Sequence, residues 1–471
     1  MDMPEIDRKA GHRRPMVVLA WVVVVILSVL MAFLAAIPRP SQGEGEPRDE
    51  AGLAMTHLQL RYLLGVASLT REPDLAVSQA VAMLDTGSVE QRQRVMAFTL
   101  AMGDSAAALE VGAHLQEDVL RVGRPLDTTQ AAIAAALTAA ATDGVSALDD
   151  QQRKFLQDHL GWCGDLLFAT GEDRDLIKRS AVTRVLALYG VIAVGVVVAL
   201  LGLIGLIVLL TCAFGGSLRS KLGSASVRHG MYAETFALWM VLFLTLSIVS
   251  GVLTGGAMDV VSLCVTLGAM FTSLASLAWP VFRGVSWSEV RSDLGWSRGR
   301  GFVREVLAGF AGFAMTMPII GAGLLLTLLL MVVQGLFHGG GDAFAGTGGP
   351  AHPIIVELAS GSAVSRVVIV LLAAVAAPLV EETMFRGVLY RQVRTAFVRL
   401  GTAMSIVLST LVVSFVFALI HPQGWVAIPA LMSIAIGMTL VREWRGSLIA
   451  PIVVHATNNG IIVGMLILLL S

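Results

Sequence analysis

Charged side chains are scarce in this sequence of 471 residues. Only 14% of the residues are charged and 56% are hydrophobic, whereas a soluble domain usually has about 25% charged residues. The mean hydropathy is +0.78. The formal net charge is −1, so the chain lacks the basic excess that nucleic-acid binding requires. The composition predicts a membrane protein whose partner is the lipid bilayer and excludes nucleic acid as a partner.

Cysteines are equally few. Cys163, Cys212 and Cys264 lie far apart in the chain, so they form neither a disulfide framework nor a cysteine-based zinc site. The His-Glu-x-x-His motif of zinc proteases and the Gly-x-Ser-x-Gly elbow of serine hydrolases are also missing from the sequence. These absences exclude the commonest hydrolase signatures.

Long apolar runs dominate what is present, and nine of them are candidates to cross a bilayer. They are 16–37, 186–214, 236–253, 260–282, 306–336, 367–390, 403–420, 426–441 and 448–470. A cleaved signal peptide is the alternative for the first run, because the residues that end it, Ala35-Ala36-Ile37-Pro38, resemble a cleavage region. Its length exceeds that of a signal core and favours a retained anchor. We predict an all-α, polytopic α-helical membrane protein with nine transmembrane helices.

Residues 38–180 have a different character. Residues 38–49 are rich in Pro, Gly and Glu and indicate a linker. Beyond them, Ala- and Leu-rich segments carry apolar residues at helical spacing. They predict five to seven short amphipathic helices in an inserted soluble domain. No fixed repeat period identifies stacked helix pairs, and an ordinary helical bundle without a catalytic group is the simpler interpretation.

Basic residues mark alternate loops between the spans and predict the orientation of the chain. They are Arg13 and Arg14; Arg219, Lys221 and Arg228; Arg283, Arg291, Arg298 and Arg300; Arg391, Arg394 and Arg399; and Arg442 and Arg445. These loops belong in the cytoplasm by the positive-inside rule. We therefore predict a multi-pass protein of the inner (plasma) membrane with a cytoplasmic N-terminus. The helical domain and the Gly-rich segment 338–349 fall on the opposite, extracytoplasmic side.

Two adjacent glutamates, Glu381 and Glu382, interrupt the sixth apolar run. An ionised carboxylate at the bilayer centre costs at least about 2.5–3.5 kcal/mol, so such groups are retained mainly where they function. Glu382 and Arg386 are four residues apart and share a helix face, where they can pair. Glu381 points about 100° away and is free to face a cavity. A salt bridge that only joins two helices would explain Glu382 and Arg386 but not Glu381.

Two histidines follow on later apolar helices. His421 stands four residues after Phe417, and His455 stands four residues before Asn459. Taken singly, His421 could cap a helix end, and His455 with Asn459 could form hydrogen bonds between helices. Taken together, a carboxylate, two imidazoles and an amide can activate water and stabilise an oxyanion. The pattern therefore predicts a site for hydrolysis.

Three segments of the chain closely resemble the CPBP family of intramembrane proteases. They are Glu-Glu-Thr-Met-Phe-Arg-Gly-Val-Leu-Tyr, Ser-Phe-Val-Phe-Ala-Leu-Ile-His and Arg-Gly-Ser-Leu-Ile-Ala-Pro-Ile-Val-Val-His-Ala-Thr-Asn-Asn. The family is related to the endopeptidases that remove the last three residues of prenylated C-a-a-X proteins. The resemblance divides the chain into a head and first anchor (1–37), the helical domain with its linker (38–180), spans two to four with a cytoplasmic loop (181–302) and a CPBP-like catalytic membrane domain (303–471).

The resemblance implies an intramembrane endopeptidase that acts on membrane-associated peptides or proteins. Glu381 corresponds to the general base, His421 and His455 to the two motif histidines, and Asn459 to the amide. Glu382 and Arg386 correspond to the supporting pair, and Phe417 belongs to the second motif. Family members are usually called metalloproteases, with zinc or another divalent metal on Glu381, His421 and His455, although a metal-free mechanism is also argued.

A non-catalytic alternative uses the same buried polar groups. In that interpretation the chain is a scaffold or transporter with a buried ligand site and an external interaction domain. Cleavage of a peptide that depends on Glu381 would distinguish the two.

The depth of His421 needs a special arrangement in this scheme. Glu381 and His455 each lie ten residues from a basic loop residue, whereas His421 lies about twenty residues from Arg399. Either an in-plane stretch around residues 393–403 or a strong tilt of the seventh span would bring His421 to the depth of the other two, and we favour the in-plane stretch.

Overall fold

The computed structural model describes residues 14–36, 50–70, 81, 84, 85, 87–123, 125–215, 222, 230–255, 259–337, 357, 358 and 361–470. The predicted polar head before Arg14, the linker, the Gly-rich segment and the basic residues Arg219, Lys221 and Arg228 lie outside these residues. Within the described ranges every regular element is a helix and none is a strand. This confirms the predicted all-α class.

The helices are numbered here in chain order. They are α1 (Arg14–Ala36), α2 (Glu50–Leu69), α3 (Val89–Met102), α4 (Ser105–Val122), α5 (Thr128–Asp143), α6 (Asp150–Leu160), α7 (Trp162–Phe168), α8 (Gly171–Phe214), α9 (Met231–Leu253), α10 (Val260–Ser273), α11 (Ala278–Phe282), α12 (Trp287–Leu294), α13 (Phe302–Phe337), α14 (Ala363–Ala396), α15 (Thr402–Leu419), α16 (Ile428–Arg445) and α17 (Ile449–Leu470). They form two compact units.

The helical unit comprises residues 38–193, 334–361 and 465–471. Its short helices begin at capping side chains: Ser88, Asp127 and Asp149 each accept a hydrogen bond from the third helical residue and form complete capping boxes. The apolar faces of α2 to α7 meet in one core around residues such as Leu64, Phe98 and Leu156. Among the residues that the structure describes, these are six helices, within the predicted five to seven.

Cys163 lies inside this core with no exposed surface. Burial raises the pKa of its thiol to about 12, so the reactive thiolate does not form near neutral pH. Cys163 therefore acts as a small apolar core residue.

The membrane unit comprises residues 1–37, 194–333 and 362–464. Over the described residues, nine helices are long and apolar enough to cross a bilayer. Each coincides with one of the nine predicted spans, which confirms the predicted count.

One core joins the early and late spans of this unit. The Phe385 ring on α14 lies 5.2 Å from that of Phe236 and 5.7 Å from that of Trp239, both on α9 (centroid to centroid). Ala20 and Val24 of α1 are buried in the same core. α1 therefore packs against the same core as the later spans. Its retention as an anchor and the predicted domain boundaries stay predictions.

Candidate active site

The helix that carries the two glutamates, α14, contains two π-helical segments. They are Leu372–Ala376 and Thr383–Leu389, and Glu381 and Glu382 lie between them. Pro378 also stands there; its ring lacks an N–H and crowds the carbonyl four residues earlier, which disrupts α-helical bonding. Widened turns of this kind are frequent at functional sites. The local backbone thus distinguishes the glutamates from the rest of the helix.

Glu382 and Arg386 form the predicted pair. Arg386 Nη1 donates to Glu382 Oε1 at 2.9 Å, and both side chains are fully buried. Arg386 Nη2 donates to the Ala435 carbonyl of α16 at 3.3 Å. The guanidinium also lies over the Phe417 ring, with Cζ 4.6 Å from its centroid. The pair therefore links α14, α15 and α16.

His455 is held by this pair. Its Nδ1 lies 2.9 Å from Glu382 Oε1. The carboxylate is paired with Arg386 and accepts, so Nδ1 donates the hydrogen. In the neutral ring, Nε2 then carries the lone pair.

His421 is fixed in the same way by the backbone. Its Nδ1 lies 2.6 Å from the Phe417 carbonyl oxygen, and a carbonyl only accepts, so Nδ1 is again the donor. The lone pair of the neutral imidazole is therefore on Nε2. The two histidines have the same tautomer for different local reasons.

Both Nε2 atoms approach one oxygen of Glu381. Glu381 Oε2 lies 3.9 Å from His421 Nε2 and 3.9 Å from His455 Nε2. This oxygen is buried and has no hydrogen-bond partner in the described part of the chain, although the side chain as a whole is 20% exposed. Three acceptors that converge in this way need a hydrogen-bond donor or a cation between them. A water molecule between them would donate its two hydrogens to two of the three acceptors.

Asn459 contacts the first π segment of α14. Its Nδ2 donates to the Ala373 carbonyl at 2.9 Å, and its Oδ1 accepts from Asn458 Nδ2 at 3.2 Å. One Nδ2 hydrogen remains for another partner. The predicted role of this amide in stabilising an oxyanion would have to use that hydrogen.

The Phe417 ring packs against the rings of both histidines of the site. Its buried ring lies 5.1 Å from that of Phe385, 4.3 Å from that of His421 and 6.1 Å from that of His455 (centroid to centroid). These contacts hold both imidazoles against the apolar core. They account for an aromatic residue at this position without a chemical role.

The predicted metal ligands are spaced more widely than zinc requires. Two ligands on one tetrahedral zinc, at bonds of about 2.0–2.1 Å, would lie about 3.3–3.4 Å apart. The two distances from Glu381 Oε2 to the imidazoles are both 3.9 Å. Among the residues that the structure describes, no group of three or more His, Cys, Asp or Glu is arranged to hold a metal ion. The predicted metal on Glu381, His421 and His455 stays a prediction.

Several basic residues that the sequence assigns to loops are ion-pair partners that are buried or partly buried. Arg391 lies 3.4 Å from Asp293, Arg394 lies 2.8 Å from Glu443, and Arg445 lies 2.7 Å from Glu305. The fully buried Arg442 donates to the Leu294 carbonyl at 2.9 Å. Sequence reasoning did not find these contacts, because a charge next to an apolar run has the same pattern whether it faces water or a partner. The predicted orientation of the chain stays a prediction.

Residues 393–403 join two helices of the site. α14 continues as a helix to Ala396, and a short turn containing Val398–Leu400 leads into α15. His421 Nε2 at the end of α15 lies 3.9 Å from Glu381 Oε2 on α14. Arg391, from which the depth of Glu381 is reckoned, is buried, and the in-plane stretch stays a prediction.

The comparisons with known proteins agree with these motifs. Residues 363–461 match the family described as type II CAAX prenyl endopeptidase Rce1-like. No curated protein and no solved structure matches the chain. The match includes Glu381, His421, His455 and Asn459. Residues 363–461 therefore match an Rce1-like type II CAAX prenyl endopeptidase domain, as the resemblance to the CPBP intramembrane proteases predicts.

Proposed function

We propose that this protein is an intramembrane endopeptidase that hydrolyses membrane-associated peptides with a water activated by Glu381. The observation that carries the proposal is the approach of His421 Nε2 and His455 Nε2 to the same oxygen of Glu381, each at 3.9 Å. Two atoms at this separation can both lie within about 2.8 Å of one water oxygen, a normal hydrogen-bond length. Because a water molecule has two hydrogens, it would donate to Glu381 and to one of the two imidazoles at a time.

In the reaction, the water oxygen attacks the carbonyl carbon of the scissile peptide bond. Glu381 accepts one hydrogen of the water, and an imidazole Nε2 accepts the hydrogen bond of the other. The remaining N–H of Asn459 is a candidate donor to the oxygen of the tetrahedral intermediate. Glu381 then returns its proton to the leaving amine nitrogen as the C–N bond breaks. Glu382 and Arg386 orient His455 and touch no reacting atom.

The decisive experiment replaces Glu381 by Gln in purified, detergent-solubilised protein. The amide has the same shape but cannot take a proton from water, so peptide cleavage should fall at least 100-fold, on the order of a general-base contribution. The exposed carboxylate Glu289 on α12 provides the matched control, and Glu289→Gln should cleave as the wild type does. Full activity of Glu381→Gln would end the assignment of the base.

The same assay separates the protease from the non-catalytic alternative. A scaffold or transporter with a buried ligand site predicts no cleavage by the wild-type protein. Paired peptides with and without a prenyl group test the substrate class. Cleavage of both would show that the chemistry does not require the lipid modification.

The metal prediction needs its own measurement. The spacing of Glu381, His421 and His455 leads us to expect activity that survives a chelator, with less than one metal ion per purified chain by mass spectrometry. One zinc per chain, lost together with activity on chelation, would replace direct water activation by a metal mechanism.

A further inference from the structure

An apolar pocket lies on the membrane unit, remote in sequence from the catalytic motifs. It has a volume of about 470 Å³. Its principal lining residues are Leu274, Leu277, Val281, Phe282, Trp287 and Trp296. The first four of these belong to the end of a membrane span, 260–282. The pocket therefore lies where a membrane span ends, and its walls suit a hydrocarbon chain.

Two tryptophans form the other side of the pocket. Trp287 and Trp296 are 43% and 44% exposed, and their ring centroids are 6.5 Å apart. Trp296 is held in place because its Nε1 donates to Thr383 Oγ1 at 3.1 Å. Tryptophan is enriched at the level of the lipid headgroups, where one end of the ring meets hydrocarbon and the other meets water. The pair thus places this side of the pocket at the membrane interface.

Exposed arginines accompany the tryptophans in the chain. Arg291 is four residues after Trp287 on α12, which puts both on one helix face. Arg298 follows Trp296 by two residues and is also exposed. Basic clusters next to a membrane span attract anionic headgroups, at about 1 kcal/mol per Lys or Arg near the surface. Apolar walls, interfacial tryptophans and cations thus occur on one short segment.

We propose that this pocket binds an anionic phospholipid. One acyl chain occupies the apolar part between Leu277 and Phe282, and the phosphate is paired with Arg291 near the tryptophans. A zwitterionic lipid could place its acyl chain against the same apolar walls, but its headgroup would gain less electrostatic attraction from Arg291. A peptide segment would leave backbone polar groups against apolar walls without partners. Because Trp296 donates a hydrogen bond to Thr383 on α14, the bound lipid would contact a side chain that is itself bonded to the helix that carries Glu381.

Native mass spectrometry of the full-length protein tests this inference without any activity assay. The protein is purified in detergent and mixed with equal amounts of phosphatidylglycerol and phosphatidylcholine. We expect retention of about one phosphatidylglycerol, in preference to phosphatidylcholine. Arg291→Gln should weaken that retention about five-fold, the factor that corresponds to one interfacial arginine. The exposed Arg399, which lies outside the pocket, is the matched control, and Arg399→Gln should leave retention unchanged.

A second variant tests the apolar part. Ala278 also lines the pocket, and Ala278→Phe should fill it and displace the acyl chain while leaving every arginine in place. Val261→Phe, at an exposed position on α10 outside the lining, is its control. Equal retention of the two lipids would overturn the proposal, and so would retention that neither Arg291→Gln nor Ala278→Phe reduces. Because lipid binding is read directly, failure here is distinct from failure of the proposed protease function.

Discussion

Removing Arg386 should destabilise the membrane unit by at least about 3 kcal/mol. Its guanidinium is fully buried against Glu382 at 2.9 Å, and breaking one side of a buried ion pair typically costs about 3–5 kcal/mol. Glu382 keeps one donor, His455 Nδ1, so the lower end of that range applies to Arg386→Ala. The loss of the contact with the Phe417 ring acts in the same direction.

The assay is unfolding in mixed detergent micelles, followed by tryptophan fluorescence, which reports on Trp239 in the same core. The double variant Glu382→Gln with Arg386→Gln removes both charges and should recover most of the lost stability. The exposed Arg399 offers a matched control, and Arg399→Ala should change stability by less than about 0.5 kcal/mol.

Two results would refute this reasoning. If the double variant unfolds as readily as Arg386→Ala, the cost does not come from an unpaired carboxylate. If Arg386→Ala unfolds like the wild type but no longer cleaves peptide, Arg386 acts on the substrate and not on the fold.

Three further outcomes are expected. Gly295→Ala should destabilise the protein by about 1–3 kcal/mol in equilibrium unfolding, because φ is +83° and an added Cβ would lie 2.5 Å from Arg442 Nη2. Gly255→Ala is the control, since φ is +61° there but open space surrounds the position, and it should cost less stability. Equal costs for the two variants would show that the clash with Arg442 does not matter. Burial lowers the pKa of His57 to about 4, so below pH 6.5 the unfolded state binds a proton that the folded state does not. Stability should therefore fall by about 3 kcal/mol between pH 6.5 and pH 4, and an unchanged pH profile in His57→Gln would contradict this. The orientation can be tested with Leu120→Cys in a protein whose Cys212 and Cys264 are replaced by Ser, because position 120 is 82% exposed. This cysteine should react with a membrane-impermeant maleimide on intact cells. Labelling only after lysis would reverse the predicted orientation.

The sequence predicts the helices of this protein well because composition and periodicity are local properties. Each of the nine spans follows from an uninterrupted apolar run, and the pairing of Glu382 with Arg386 follows from a separation of four residues. The core of the helical domain follows from apolar residues at helical spacing. None of these predictions requires knowledge of which segments meet in space.

The contacts that sequence reasoning missed join distant segments of the chain. Arg391 pairs with Asp293, 98 residues away, and Arg442 donates to the Leu294 carbonyl, 148 residues away. No local pattern separates such a buried arginine from a loop arginine. The tautomers of His421 and His455 could not be predicted from the sequence either, because each depends on a hydrogen-bond acceptor that only the folded chain brings next to the ring.

The π segments of α14 bear on how this helix tolerates insertions and deletions. A π-bulge accommodates one extra residue in an α-helix, and one residue corresponds to about 100° of rotation. The segment Thr383–Leu389 separates Glu381 from the charged end of the helix, where Arg391 and Arg394 pair with Asp293 and Glu443. A deletion of one residue within it could be absorbed by a return to α-helical bonding. The number of residues in Thr383–Leu389, and not only their types, therefore fixes the angle about the helix axis between Glu381 and the ion-paired arginines of α14.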